Sequence, residues 1–334
     1  MTATVESPTV FTKSAARVPS ELGLAGLVLL IYVIIVALVP SARGLPFIAD
    51  IVRSGLVTMA LASGLLLIII SGGMDVSFAA IAIFSGYTAV TVLNSAGVDS
   101  LILAVVVALT AGLAWGLFNG VLVAKLKLET LMATLGSQVI VRGILLAFVG
   151  SMYISVLPNS LDSVGSAVMI RTGTSSILWL TIPVIAIVVA VGFVLRNTRF
   201  GRNIYLIGNS ATSAERVGVN VSRTRIYLYV AAGAIAGLAG LLHIMVSRHG
   251  SPFELVGMEM SVIAAVVIGG ATDAGGRGSM TGTVLGVILV SLVENSLVRL
   301  GVSSYWQLFV VGLVILIGVG LQSRNNNRTL KWGV

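Results

Sequence analysis

The side chains best suited to chemistry gather around two glycine doublets. In "IISGGMDVSFAAIAIFSG" (residues 69–86), Gly72-Gly73 is followed by Asp75. In "VVIGGATDAGGRGSMTGTVLG" (residues 266–286), Gly269-Gly270 is followed by Asp273 and then by Gly276-Arg277-Gly278. Glycines beside a cation suggest a phosphate cradle, but a phosphate loop needs Gly-x-x-x-x-Gly-Lys-Ser/Thr, and no lysine lies between Lys127 and Lys331. Gly276-Arg277-Gly278 also misses the dinucleotide pattern, because Gly282 falls one residue late and no strand precedes it. Backbone that bends, or that lets another helix approach closely, remains.

Other polar groups lie within or beside apolar runs: Asn119, Thr134, Gln138, Arg142, Glu259, Glu294 and Asn295. For most of these, hydrogen bonding between helices is favoured over contact with a solute. Arg142 carries two readings, a functional charge within a span or a side chain that snorkels to the interface. There is no cysteine, and His243 and His249 are too few for a histidine-based metal site. No metal is expected on this chain.

The elements that must hold these groups follow from composition. Of 334 residues, 57% are hydrophobic and only 10% charged, with a mean hydropathy of +1.07. A soluble surface needs about one quarter charged residues, so the chain is expected to be an all-α integral membrane protein. Apolar runs at 22–39, 54–71, 76–93, 101–123, 130–149, 176–195, 226–246, 256–270, 280–298 and 304–321 predict about ten transmembrane helices, some broken at glycines. They delimit a tail at 1–21, a membrane domain at 22–321 and a second tail at 322–334. With both termini cytoplasmic, fourteen Lys and Arg fall inside and five outside, leaving Arg142 within a span. The +8 net charge is thus explained by topology rather than by nucleic acid. No cleavable signal peptide is expected, because the first apolar run is longer than a signal core.

The two glycine breaks have the same outline and stand in corresponding halves, which predicts two pseudo-repeated halves with a transport pathway between them. On that basis Gly72, Gly73, Asp75, Asn119, Thr134, Arg142, Glu259, Gly269, Gly270, Asp273 and Asn295 are candidate pathway or gate residues. The longest inner segment, 196–225, opens with three arginines suited to anionic lipid. Within it, Ala211 to Val217 reads as a short helix, with Asn209 or Ser210 as cap and Gly218 as stop. Such a helix could dock on a partner.

Four stretches carry a family resemblance: "SGGMDVSFAAIAIFSG" from Ser71, "FNGVLVAKLKLETLMATLGSQVIVRGI" from Phe118, "GNSATSAERVGVNVSRTR" from Gly208 and "IAAVVIGGATDAGGRGSMTGTVLG" from Ile263. In these the chain resembles the permease subunits of ribose-type sugar ABC importers. The resemblance implies a bacterial inner-membrane permease that pairs with a second copy or a paralogue. It also implies an ATP-binding cassette subunit that binds ATP and Mg, and a periplasmic receptor that delivers a sugar or sugar-like solute. Membrane lipid would surround the assembly, and the chain itself would bind no cofactor and catalyse no reaction. The coupling segment 208–220 would comprise Gly208, Asn209, Ser210, Ser213, Ala214, Glu215, Arg216, Gly218, Val219 and Asn220. Ser213 stands where the family usually has alanine, and Ala79 where it usually has glycine. An ion-driven secondary transporter is the alternative, with Asp75 as its best candidate for a buried relay.

Overall fold

The computed structural model describes residues 20–303 and, beyond them, residues 306, 309, 312 and 313. The amino-terminal tail to residue 19, most of the tenth run at 304–321 and the carboxy-terminal tail lie outside the described residues. Among the described residues the chain forms α1 Ser20–Leu38, α2 Leu45–Ile70, α3 Phe78–Ala96, α4 Leu101–Ala124, α5 Thr130–Val149 and α6 Asn159–Ser166. A hairpin of β1 Val168–Thr172 and β2 Ser175–Leu178 comes next. The remaining helices are α7 Thr181–Asn197, α8 Arg199–Asn209, α9 Ala211–Arg216, α10 Val221–Ser247, α11 Met258–Ile268 and α12 Met280–Arg299.

Seven of these helices are long and apolar enough to cross a membrane, and the α7–α8 pair, bent by 72°, allows an eighth. Nine of the ten expected runs fall within the described residues, and these give seven spans or eight. The run at 256–270 condenses to an 11-residue α11, which at about 1.5 Å per residue covers little more than half the hydrocarbon. The run at 54–71 begins earlier, at Leu45, because Pro46 occupies the first turn, where its missing N–H costs nothing. The membrane fold is helical as expected, with one short β-hairpin added among the described residues. Alternating Val168, Ile170 and Thr172 pair antiparallel with Ser175–Leu178 across a turn at Gly173, so the first residues of the run at 176–195 belong to a strand.

The core forms around α2, whose side chains from Leu56 to Ile70 are almost all buried. α10 packs against it, and α3 and α4 in turn pack on α10 with minimal spacing. Gly112, Gly116 and Gly120 of α4 recur every fourth residue and face Gly233, Tyr229 and Ile226 of α10. A methyl group at Gly112 would overlap the Gly233 carbonyl oxygen. Without a hydrophobic drive between helices in lipid, such close approach supplies the dispersion contacts that hold them.

The connecting segments collect at two ends of the bundle. One end holds the α2–α3, α4–α5 and α11–α12 linkers together with α8 and α9. The other holds α6, the hairpin and the segment after α10. There Arg248 forms two bonds to Asp162 at 2.6 and 2.7 Å, and Ser175 donates to Asp50 at 2.6 Å.

Candidate coupling and gate site

Both glycine breaks converge at the α9 end. The Gly276 N–H donates to the Ile70 carbonyl, the last of α2, at 2.8 Å. Gly275, held at φ +82°, lies so near Gly72 that a Cβ on it would sit 2.7 Å from the Gly72 Cα. Gly208, near the end of α8, completes the junction: a Cβ there would overlap the Ile70 carbonyl oxygen and the Gly276 nitrogen. The Tyr205 hydroxyl donates to the Gly278 carbonyl at 2.8 Å, and the Asn209 side chain covers Gly276. Residues from three distant parts of the chain thus meet backbone to backbone.

From this junction the chain enters α9. Ser210 caps it, accepting from the Ser213 N–H at 3.2 Å. It stops where Val219 N–H reaches back to the Ala214 carbonyl and Gly218 adopts φ +85°, as a helix-terminating glycine does. Asn220 then caps α10 by accepting from Arg223 N–H at 2.8 Å. Ala214 packs inward with Ile207 and Val221, while Ser213, Glu215, Arg216 and Val217 face outward. Beside α9 lies a cavity of about 390 Å³ lined by Lys127, Glu129, Glu215 and Arg225. The predicted helix and its cap are therefore found, with Ser210 rather than Asn209 in the role.

Asp75 and Asp273 have different surroundings. Asp75 is buried and accepts both the backbone N–H and the hydroxyl of Ser77, at 2.7 and 2.6 Å. Asn119 donates to the same hydroxyl at 2.8 Å. Thr130 and Thr134 accept from the Met74 and Val76 N–H groups, so the α2–α3 linker has polar partners where regular hydrogen bonding stops. Among the described residues the Asn119 Oδ1 and the Tyr229 hydroxyl are buried without a partner. Asp273 is exposed. Gly73 lies beside the Tyr229 hydroxyl, Gly269 packs on the Gly282 carbonyl, and Gly270 turns at φ +97°.

The remaining candidates sit toward the other end. Arg142 of α5 pairs with Glu259 of α11 at 3.0 Å, and Gln138, one turn away, donates to the same oxygen at 3.1 Å. Glu259 also accepts from Gly257 N–H at 2.7 Å. Asn295 donates to Ser54 of α2 at 2.6 Å. The structure brings Gly72, Gly208, Asn209 and the glycines after Gly270 into one site, Asp75, Asn119 and Thr134 into a second, and Arg142 with Glu259 into a third. Three contributors escaped the sequence reading: Tyr205, Ser77 and α8 itself. Phe200, Ile204 and Ile207, spaced for one helical face behind a Thr198 cap, were the legible signal for α8.

A bundle of apolar helices with broken backbone at one end and a capped, outward-facing helix beside the breaks defines a transport permease of the membrane. The branched-chain amino acid transport system / permease component family matches residues 47–319, and the chain belongs to this family. Among curated relatives, the ribose import permease protein RbsC of Escherichia coli is 32% identical over 322 residues, covering 95% of this chain and 97% of its own. The autoinducer 2 import system permease protein LsrC of Escherichia coli is 37% identical over 267 residues, covering 79% of this chain and 75% of its own. No solved structure matches. The chain is accordingly a multi-pass permease of the bacterial inner membrane.

Proposed function

We propose that this chain forms the membrane pathway of an ATP-driven importer for a sugar or sugar-like solute, and that α9 is the element through which a partner ATPase drives it. The observation that carries this reading is that the glycine junction at Gly208 continues through Asn209 and the Ser210 cap straight into α9. A load on its exposed face, Glu215 and Arg216 included, passes through α8 to Gly208 and then to the end of α2 and the α11–α12 linker. No flexible side chain intervenes there. The relatives' names supply the solute class.

The α9 end is assigned to the cytoplasm. Among the described residues it carries nine Lys and Arg against five at the hairpin end, the bias expected of inner segments. ATP and Mg would bind on the partner cassette subunit. A periplasmic receptor would dock at the hairpin end, and a second copy or a paralogue would complete the pathway within the lipid. Asp75, Asn119 and Thr134, just above the junction, would act as an inner gate, and Arg142 with Glu259 would brace the outer half.

Affinity purification of the tagged chain from its native membranes, with mass spectrometry of what accompanies it, tests the reading. A stoichiometric ATP-binding protein is the expected result. A chain that purifies alone and transports in liposomes on an ion gradient would overturn it in favour of a secondary transporter working through Asp75.

A further inference from the structure

At the hairpin end a cavity of about 420 Å³ opens between α2, α10, α11 and α12, within the size range of small-molecule sites. Its polar lining consists of Asp50, Arg53, Ser54, His243, Ser247 and Asn295. We propose that this cavity is a contact site for a neutral, polyhydroxylated solute at the outer mouth of the permease. The inference rests on the transport reading above and adds the residues that would meet the solute.

The hydrogen-bonding inventory supports it. Asp50 already accepts from Arg299 and from Ser175, and the Asn295 amide nitrogen is committed to Ser54 and the Ser291 carbonyl. His243 Nε2 is held by Glu254 at 2.9 Å. These bonds fix the walls. Among the described residues, Arg53 and the Ser247 hydroxyl have no partner, and the Asn295 carbonyl oxygen faces no donor. The cavity thus offers a forked cationic donor, a hydroxyl that can donate or accept, and an amide acceptor.

The rest of the wall is apolar: Val57, Val246 and Met258. Hydroxyl donors and acceptors on one side with C–H surface on the other is the pattern a sugar ring presents. Asp50 is already paired with Arg299, so an anion with no proton to donate would leave the Asn295 carbonyl oxygen unmet, and a cation would meet Arg53. A ligand with many hydroxyls and no charge satisfies the donor, the hydroxyl and the acceptor together.

Saturation-transfer NMR on the purified permease in nanodiscs, with D-ribose as probe, tests this without depending on any ATPase. Binding should be detected in the unmodified chain. It should weaken about tenfold in Arg53→Ala, which removes a charge-assisted donor, and vanish in Ser247→Phe, which fills the cavity from a partly exposed wall. Unchanged thermal midpoints would show that both variants fold. Glu215→Lys, at the opposite end, should bind as the unmodified chain does. Sugar binding that ignores both cavity substitutions would overturn the proposal, as would no binding by D-ribose or D-glucose. Arg53-dependent binding of acetate or phosphate in place of sugar would also overturn it, identifying an anion site. Loss of ATPase association with sugar binding intact would instead fault the transport reading alone.

Discussion

Gly208 of α8 rests directly on the carbonyl of Ile70, the last residue of α2, with no space for a methyl group between them. Helix ends normally leave their final carbonyls to caps or water. Here the Ile70 carbonyl takes the Gly276 N–H while Gly208 closes over it. The contact joins the α9-bearing segment to the most buried helix of the bundle.

That contact predicts the consequence of enlarging Gly208. Gly208→Val should push α8 off the α2 terminus, so that motion of α9 no longer reaches the membrane helices. In proteoliposomes holding the whole importer, ATP hydrolysis should persist while uptake falls more than about tenfold, the effect of about 1.4 kcal/mol of lost coupling. Uptake and hydrolysis that remain in their normal ratio would show that the junction does not transmit.

Enlarging Gly112 acts on stability instead. Its partner across the α4–α10 crossing is the Gly233 backbone rather than a side chain that can move. Gly112→Leu should destabilise the fold by about 3 kcal/mol or more, the upper range of overpacking. Fluorescence-detected size exclusion after heating would read this as a lower thermal midpoint or as aggregated protein.

The Arg142–Glu259 pair bridges α5 and α11, elements 117 residues apart in sequence. Glu259→Leu leaves the Arg142 guanidinium without its carboxylate in a site where its side chain is only 18% exposed. Breaking a buried pair from one side costs about 3 kcal/mol. The double variant Arg142→Met/Glu259→Leu should recover part of the lost thermal midpoint, because no charge is then left unpaired. A double variant worse than the single would exclude an ion-pair role.

Glu254 gives a pH-dependent test outside the spans. Burial raises its pKa, but the His243 hydrogen bond and the charges of His243 and His249 outweigh that, and the carboxyl is held below its usual value. A depressed folded pKa contributes stability that is present above the unfolded value of about 4.3 and lost as pH falls through the folded one. The thermal midpoint of Glu254→Gln should therefore lie below that of the unmodified chain at pH 7. The gap should close as both are titrated below about pH 4; a gap independent of pH would assign Glu254 a packing role only.

Much of this protein was legible locally. Apolar runs of span length marked α2, α3, α4, α5, α10 and α12. Ser210 and Gly218 bracketed α9 because caps and stops act on the backbone within one turn. Family membership could also be read from four short stretches in order. The membrane class and the short capped helix α9 were thus determined by the sequence alone, through periodicity and capping that need no distant partner. The meeting of Gly72, Gly208 and Gly275, the Arg142–Glu259 pair and the different surroundings of Asp75 and Asp273 were not legible, since each depends on which helices pack together. The same holds for the hairpin, whose strands compete with the apolar run that follows until antiparallel pairing decides. Only the tertiary structure made these choices, because contacts across more than a hundred residues arise from close helix packing rather than from any local pattern.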